Sequence, residues 1–171
     1  MIRLIPYDRS GEAAALELIR GFWLAHNQET QTEEEARADL AAWTAEGHRF
    51  YFIEKDADAV GFVHLGSRGG ACDWLEDLFV LPACQNQGTG SEAIRLAEEI
   101  VRQYSDSLYI EAAARNRRAI ALYHRLGYQC LNTVTVRKDF PGYAYEVQRS
   151  ERIYDLPFEI RASRQTREET L

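Results

Sequence analysis

The residues with the clearest chemical potential are Gln85-Asn86-Gln87-Gly88-Thr89-Gly90-Ser91. They follow the apolar stretch Leu78-Phe79-Val80-Leu81, which ends at Pro82, and they lead into a helix-forming sequence. Two glycines one residue apart let successive backbone N–H groups converge on one point, and a helix starting there adds its unpaired amides and positive dipole end. A diphosphate fits such a turn. A P-loop needs Lys and Ser/Thr directly after the second glycine, and here Ser91-Glu92 follows Gly90. A dinucleotide fingerprint is the stronger rival: Gly88-x-Gly90-x-x-Ala93 fits its Gly/Ala form, and Glu111 lies about 20 residues on, where an acidic group would hold a ribose. Against it, that fingerprint places its first glycine in the tight turn at the strand's end, whereas seven residues including Pro82 separate Val80 from Gly88.

The third grammar is a longer loop written Gln/Arg-x-x-Gly-x-Gly/Ala, matched position for position by Gln85 to Gly90. A second block follows about 25 residues after Gly90, with Tyr109-Ile110-Glu111-Ala112 as a strand and then Asn116-Arg117-Arg118-Ala119-Ile120-Ala121-Leu122-Tyr123-His124-Arg125-Leu126-Gly127-Tyr128. With both blocks in this order, the chain resembles the GNAT superfamily of acetyl-CoA-dependent N-acetyltransferases over roughly residues 60 to 130. The resemblance implies an acyl-CoA N-acyltransferase fold and transfer of acetyl from acetyl-CoA to a primary amine by direct attack in a ternary complex. A non-catalytic acyl-CoA sensor is the alternative of a different class.

Acetyl transfer to an amine needs a bound carrier, a neutral amine, a polarised carbonyl and a proton for the leaving thiolate. The loop answers the first need through the amides of Gln87, Gly88, Gly90 and Ser91, with Gln85 and Thr89 completing the candidate CoA site. Gln85 stands where the family more often has Arg, which leaves one charge fewer and more weight on the helix dipole. Resemblance implies an amide donor at a bulge near Phe79 and Val80 for the carbonyl, Asn116 as pantetheine ligand, and Tyr123 as the acid that protonates the sulfur. It also implies an acidic base in the strand before the bulge. Glu76 and Asp77 are the candidates, and because successive strand side chains alternate in face, one of them is expected at the cleft, with Glu76 preferred. Trp23, Glu29 and Trp74 are candidate acceptor contacts, and Tyr143 and Tyr145 could add aromatic faces.

Composition narrows the setting. The chain has 171 residues, 46% hydrophobic and 27% charged, with 20 basic against 27 acidic side chains and a net charge of −7. No basic stripe invites nucleic acid, and no apolar run approaches the roughly 18 residues that span a bilayer. The acidic balance and Glu33-Glu34-Glu35 favour a cationic acceptor such as an aminoglycoside, a polyamine or a basic side chain. Cys72, Cys84 and Cys130 are odd in number and lack metal-site spacing, so a cytoplasmic protein with reduced thiols and no metal is expected. His26, His48, His64 and His124 are scattered and read as packed or surface residues. The partners expected are a small-molecule or peptide amine and, at most, a second copy in a homodimer.

Positioning this chemistry requires a framework. Ile2–Pro6 alternates as a strand, and Ala14, Leu18, Phe22 and Ala25 recur at helical spacing between Ser10 and Asn27. Thr32-Glu33-Glu34-Glu35 spells a capping box for a second helix running to about Gly47. Strands at 49–55, 60–67 and 71–81 form an antiparallel meander, with Asp56-Ala57-Asp58 and Arg68-Gly69-Gly70 as turns. A helix after Gly90, a strand at 108–112, a helix capped by Asn116 and stopped by Gly127, and a strand at 128–138 follow. A short helix is expected at 143–152 and a last strand at 157–161. The whole is an α/β chain of α+β type, with a mixed, mostly antiparallel sheet of about six to seven strands and helices on both faces. Residues 1–161 are expected as one N-acetyltransferase domain and 162–171 as a polar tail. Strands 71–81 and 108–112 are the pair that the resemblance expects to splay for the pantetheine arm.

Overall fold

The computed structural model describes residues 1–142 and 145–163. Contacts gather into two compact units, Met1–Glu111 and Ala112–Leu171.

The first unit is built on a five-stranded sheet in the order β1-β2-β3-β4-β5, comprising Ile2–Pro6, His48–Lys55, Asp58–Gly66, Trp74–Val80 and Tyr109–Ile110. The first four strands run antiparallel and β5 joins β4 in parallel. The turn between β2 and β3 works because Asp56 and Ala57 both take positive φ, which suits the right-handed twist of a two-residue hairpin. Helices α1 (Glu12–Asn27) and α2 (Glu33–Trp43) cover one face. There Leu16, Ile19, Phe22, Leu40, Phe50, Phe62 and Phe79 form a buried cluster. The capping box at α2 is present, with Thr32 accepting from the Glu35 amide and Glu35 from the Thr32 amide. This helix ends at Trp43, short of Gly47, where the Thr44 hydroxyl takes the Leu40 carbonyl. Helix α3 (Thr89–Val101) covers the other face with buried Ala93, Ile94, Ala97 and Val101. A methyl added at Gly90 would lie 3.9 Å from Val80 Cγ2, so the helix start rests directly on β4.

The second unit holds α4 (Arg117–Arg125) and the hairpin β6–β7, Tyr145–Ile153 with Leu156–Ser163. Asn116 caps α4 by accepting from the Ala119 amide at 3.0 Å, and Gly127 takes φ +103° beyond its end. Two expectations are corrected here. Residues 145–153 form a strand instead of a short helix, because the tight Tyr154-Asp155 turn, with both φ positive, aligns them against β7, whose span includes 157–161. Residues 128–138 alternate in sequence yet belong to no strand, since alternation supplies a face but not a ladder partner. Among the described residues the seven strands thus fall into two sheets. Tyr143 and positions 164–171 lie outside the described residues.

Candidate active site

The backbone of β4 defines the site. Leu81 N–H donates to the Val60 carbonyl at 2.8 Å, which makes Gly61 and Val80 a non-hydrogen-bonded pair of the β3–β4 ladder. By alternation Phe79 and Asp77 spend their amides on β3, while Leu78 and Val80 turn theirs to the opposite edge. That edge is paired by β5 only at Trp74↔Tyr109 and Leu75↔Ile110. Past Leu75 that edge has no ladder partner among the described residues, so the Leu78 and Val80 amides lie along an open stretch of β4. This corrects the expectation for Phe79, whose ring packs with Phe22 and Phe62 in the core. It also moves the bulge. The register breaks between His64↔Asp77 and Leu65↔Leu75, so the extra residue is Glu76, not a residue near Phe79 and Val80.

The bulge overturns the alternation argument for the two carboxylates. Gly66 and His64 are two apart on β3 and share a face. Glu76 lies over Gly66, where a Cβ would come within 2.8 Å of its Cγ, and Asp77 bonds to His64. Both carboxylates therefore point to the face carrying α1 and α2. Their surroundings differ. Arg68 holds Glu76 with Nε to Oε1 at 3.0 Å and Nη2 to Oε2 at 2.8 Å, reaches Glu111 at 2.7 Å, and lies 3.8 Å above the Trp74 ring. Its hydrogen bonds hold the Glu76 carboxyl below the usual carboxylate range in spite of partial burial, and the two carboxylates in turn raise the pKa of Arg68. Asp77 Oδ2 meets His64 Nδ1 at 2.8 Å, and His64 Nε2 meets His48 Nδ1 at 2.9 Å. Nothing in the linear order of residues announces this line. His48, His64 and Asp77 come from three strands, and only the sheet register brings them together.

The loop before α3 has the form of an anion cradle. Asn86 and Gly88 take positive φ on either side of Gln87, and the amides of Thr89, Gly90 and Ser91 open the helix with no intrahelical partner. The Gln85 side-chain amide donates to the Val80 carbonyl at 2.8 Å and ties the loop to β4. Gln87 likewise donates to the Ala83 carbonyl, and its side-chain oxygen accepts from Lys55 at 2.8 Å. Lys55 and Arg95 line a groove of about 510 Å³ with Gln87, Gly88, Thr89 and Ser91. They place positive charge beside the loop. Neither was legible from the loop's own sequence, because Lys55 arrives from the end of β2.

The candidate acceptor residues are held in place. Trp23 donates to Asp39 Oδ2 at 2.7 Å and packs its ring on Phe22. Glu29 is exposed between α1 and α2. Trp74 differs from the expectation of an open aromatic face, since Arg68 and Tyr109 both lie against its ring. In the second unit Asn116 spends its Oδ1 on the α4 cap, and burial pushes the Tyr123 phenol pKa up, so the group carries its proton at neutral pH. No helix among the described residues is long and apolar enough to cross a membrane.

A mixed, mostly antiparallel sheet whose parallel fourth and fifth strands diverge beside a glycine-rich helix start is the architecture of an N-acetyltransferase. The family model for the acetyltransferase (GNAT) family matches residues 14–128, and the chain belongs to that family. Over 88 residues it is 30% identical to the uncharacterized N-acetyltransferase YjgM of Escherichia coli (strain K12), covering 48% of this chain and 52% of that protein. The chain thus aligns with about half the length of this curated relative. Its fold is shared by the aminoglycoside acetyltransferase AAC(6')-Iy, solved with the bisubstrate analog CoA-S-monomethyl-acetylneamine (TM-score 0.64, 16% identity, 82% of this chain and 99% of that one). It is shared also by aminoglycoside 6'-N-acetyltransferase AAC(6')-IG from Acinetobacter haemolyticus (TM-score 0.61, 20% identity, 82% and 98%).

Proposed function

We propose that the protein transfers acetyl from acetyl-CoA to the primary amine of a small cationic acceptor, by direct attack in a ternary complex. The observation that carries this reading is the edge of β4 past Leu75, where among the described residues the Leu78 and Val80 amides have no ladder partner, beside the loop that Gln85 ties to the same strand. The diphosphate of CoA sits on the amides of Gln87 to Ser91 near Lys55, and the thioester carbonyl accepts from an amide of the free edge. The amine nitrogen attacks the carbonyl carbon, the C–S bond breaks, and a carboxylate of the Glu76-Asp77 pair takes the proton shed by nitrogen; by its match to the family's motif, Tyr123 is the acid assigned to the departing sulfur. The acceptor class is supported by the net charge of −7 and by the aminoglycoside enzymes that share the fold.

Thermal denaturation with acetyl-CoA and NAD in parallel tests the carrier. At about 100 times its dissociation constant, acetyl-CoA should add about 2.7 kcal/mol, or roughly 5–10 °C in Tm. Stabilisation by NAD alone would replace acetyl-CoA with a dinucleotide. Thiol release with an amine panel then tests the acceptor, and higher kcat/KM for neutral or anionic amines than for polyamines and aminoglycosides at low salt would remove the charge argument.

A further inference from the structure

His64 is buried, at 2% exposure, and both of its ring nitrogens are engaged: Nδ1 with Asp77 Oδ2 at 2.8 Å and Nε2 with His48 Nδ1 at 2.9 Å. Trp43 lies flat against its ring, with centroids 5.0 Å apart, so the imidazole cannot swing out of the line. With Asp77 ionised, the consistent proton placement is His64 Nδ1–H donating to the carboxylate and His48 Nδ1–H donating to His64 Nε2. Asp77 Oδ2 is thereby fixed, and among the described residues its Oδ1 has no hydrogen-bond partner. Glu76 is the opposite case, with both oxygens held by Arg68.

We infer that Asp77 is the carboxylate that takes the acceptor's proton, and that His64, braced by His48, is the positioning residue that fixes its orientation. The inference rests on the acetyl-transfer reading above. As the C–N bond forms, nitrogen becomes cationic and acidic, and its proton passes to Asp77 Oδ1. The C–S bond breaks, and the sulfur takes a separate proton from Tyr123. An oriented carboxylate is sufficient for so acidic a nitrogen, and Arg68 would have to release Glu76 before that residue could do the same.

The experiment measures kcat and KM for thiol release by the full chain, with folding checked by thermal melts. Asp77→Asn should lower kcat by about 10²–10⁴-fold, and by more than Glu76→Gln does. His64→Leu should lower kcat about tenfold or more, with KM for acetyl-CoA unchanged. His64→Asn, which keeps a donor near the Nδ1 position, should restore most of the rate. Should His64→Leu fail to fold, His48→Leu, which removes the brace on His64, should lower kcat in the same direction with KM for acetyl-CoA unchanged. Wild-type kcat in the histidine variants, no rescue by His64→Asn, or a greater loss in Glu76→Gln than in Asp77→Asn, would overturn the inference while leaving acetyl transfer intact. A wild-type chain that is stabilised by acetyl-CoA yet releases no thiol with any amine would overturn both.

Discussion

Gly61→Ala should open the β3–β4 ladder at the strand that carries the site. A Cβ on Gly61 would stand 2.1 Å from the Phe79 carbonyl oxygen, 3.0 Å from its carbonyl carbon and 3.0 Å from Val80 Cα. All three are backbone atoms, so no side chain can rotate away and the strands must separate. Overpacking of this kind costs about 1–3 kcal/mol even where side chains can adjust. With only backbone to yield, the upper end applies, and about 3 kcal/mol corresponds to a fall in Tm of roughly 6–12 °C for a chain of this size. The displaced residues include Val80, whose amide turns away from β3 and whose carbonyl anchors Gln85. The stabilisation by acetyl-CoA should therefore shrink as well. Gly70→Ala is the control, because no atom lies within 4 Å of its added methyl, and it should fall within about 0.5 kcal/mol of wild type. Thermal melts with and without acetyl-CoA read both effects. A Gly61→Ala chain that melts within 2 °C of wild type, with the same ligand shift, would refute the close approach of β3 to β4 and the role given to that edge (a 2 °C change is roughly 0.5–1 kcal/mol here).

Three further outcomes are expected. Tyr123→Phe keeps the ring and removes the proton, so kcat should drop by about 10²–10⁴-fold with little change in Tm or in KM for acetyl-CoA; equal turnover under chemistry-limited conditions would make Tyr123 a packing residue. Lys55→Ala should raise the acetyl-CoA dissociation constant by about 3–10-fold, with the difference fading as salt is added; a titration showing no change at low salt would remove Lys55 from the diphosphate site. Arg68→Met tests the bridge to Glu76 and Glu111. The folded pKa of Glu76 is depressed by Arg68, so its contribution to stability is present above its ordinary value of 4.5 and is lost as pH falls through the lower folded value. The variant should lose stability near neutrality and flatten the acid limb of a stability–pH curve, and an unaltered limb would count against the bridge.

Several features of the site are local and were therefore written in the chain itself. The turn from Gln85 to Ser91 is legible in two glycines and a helix start, and its backbone takes the conformation those residues favour. The same holds for the Thr32–Glu35 capping box, the Asn116 cap and the Gly127 stop, each needing only a few successive residues. The meander of β2, β3 and β4 follows from alternation and turn residues, and its order was legible. The resemblance over residues 60 to 130 extended this reading to the carrier and the reaction class.

What sequence could not decide depends on register, a property of pairs of strands. One extra residue at Glu76 in β4 turned both carboxylates to the same face, against the alternation that applies to a regular strand. The same register joined His48, His64 and Asp77, residues 16 and 13 positions apart, into one hydrogen-bonded line, where each histidine alone gave no signal. Tertiary packing also set Arg68 against Glu76 and drew Lys55 to Gln87 in the loop before α3. Residues 128–138 make the complementary point, since their alternation was real and yet no strand formed. Periodicity fixes which side chains share a face, but hydrogen-bond partners and the charges that tune a carboxylate come from other strands, so only tertiary structure could choose them.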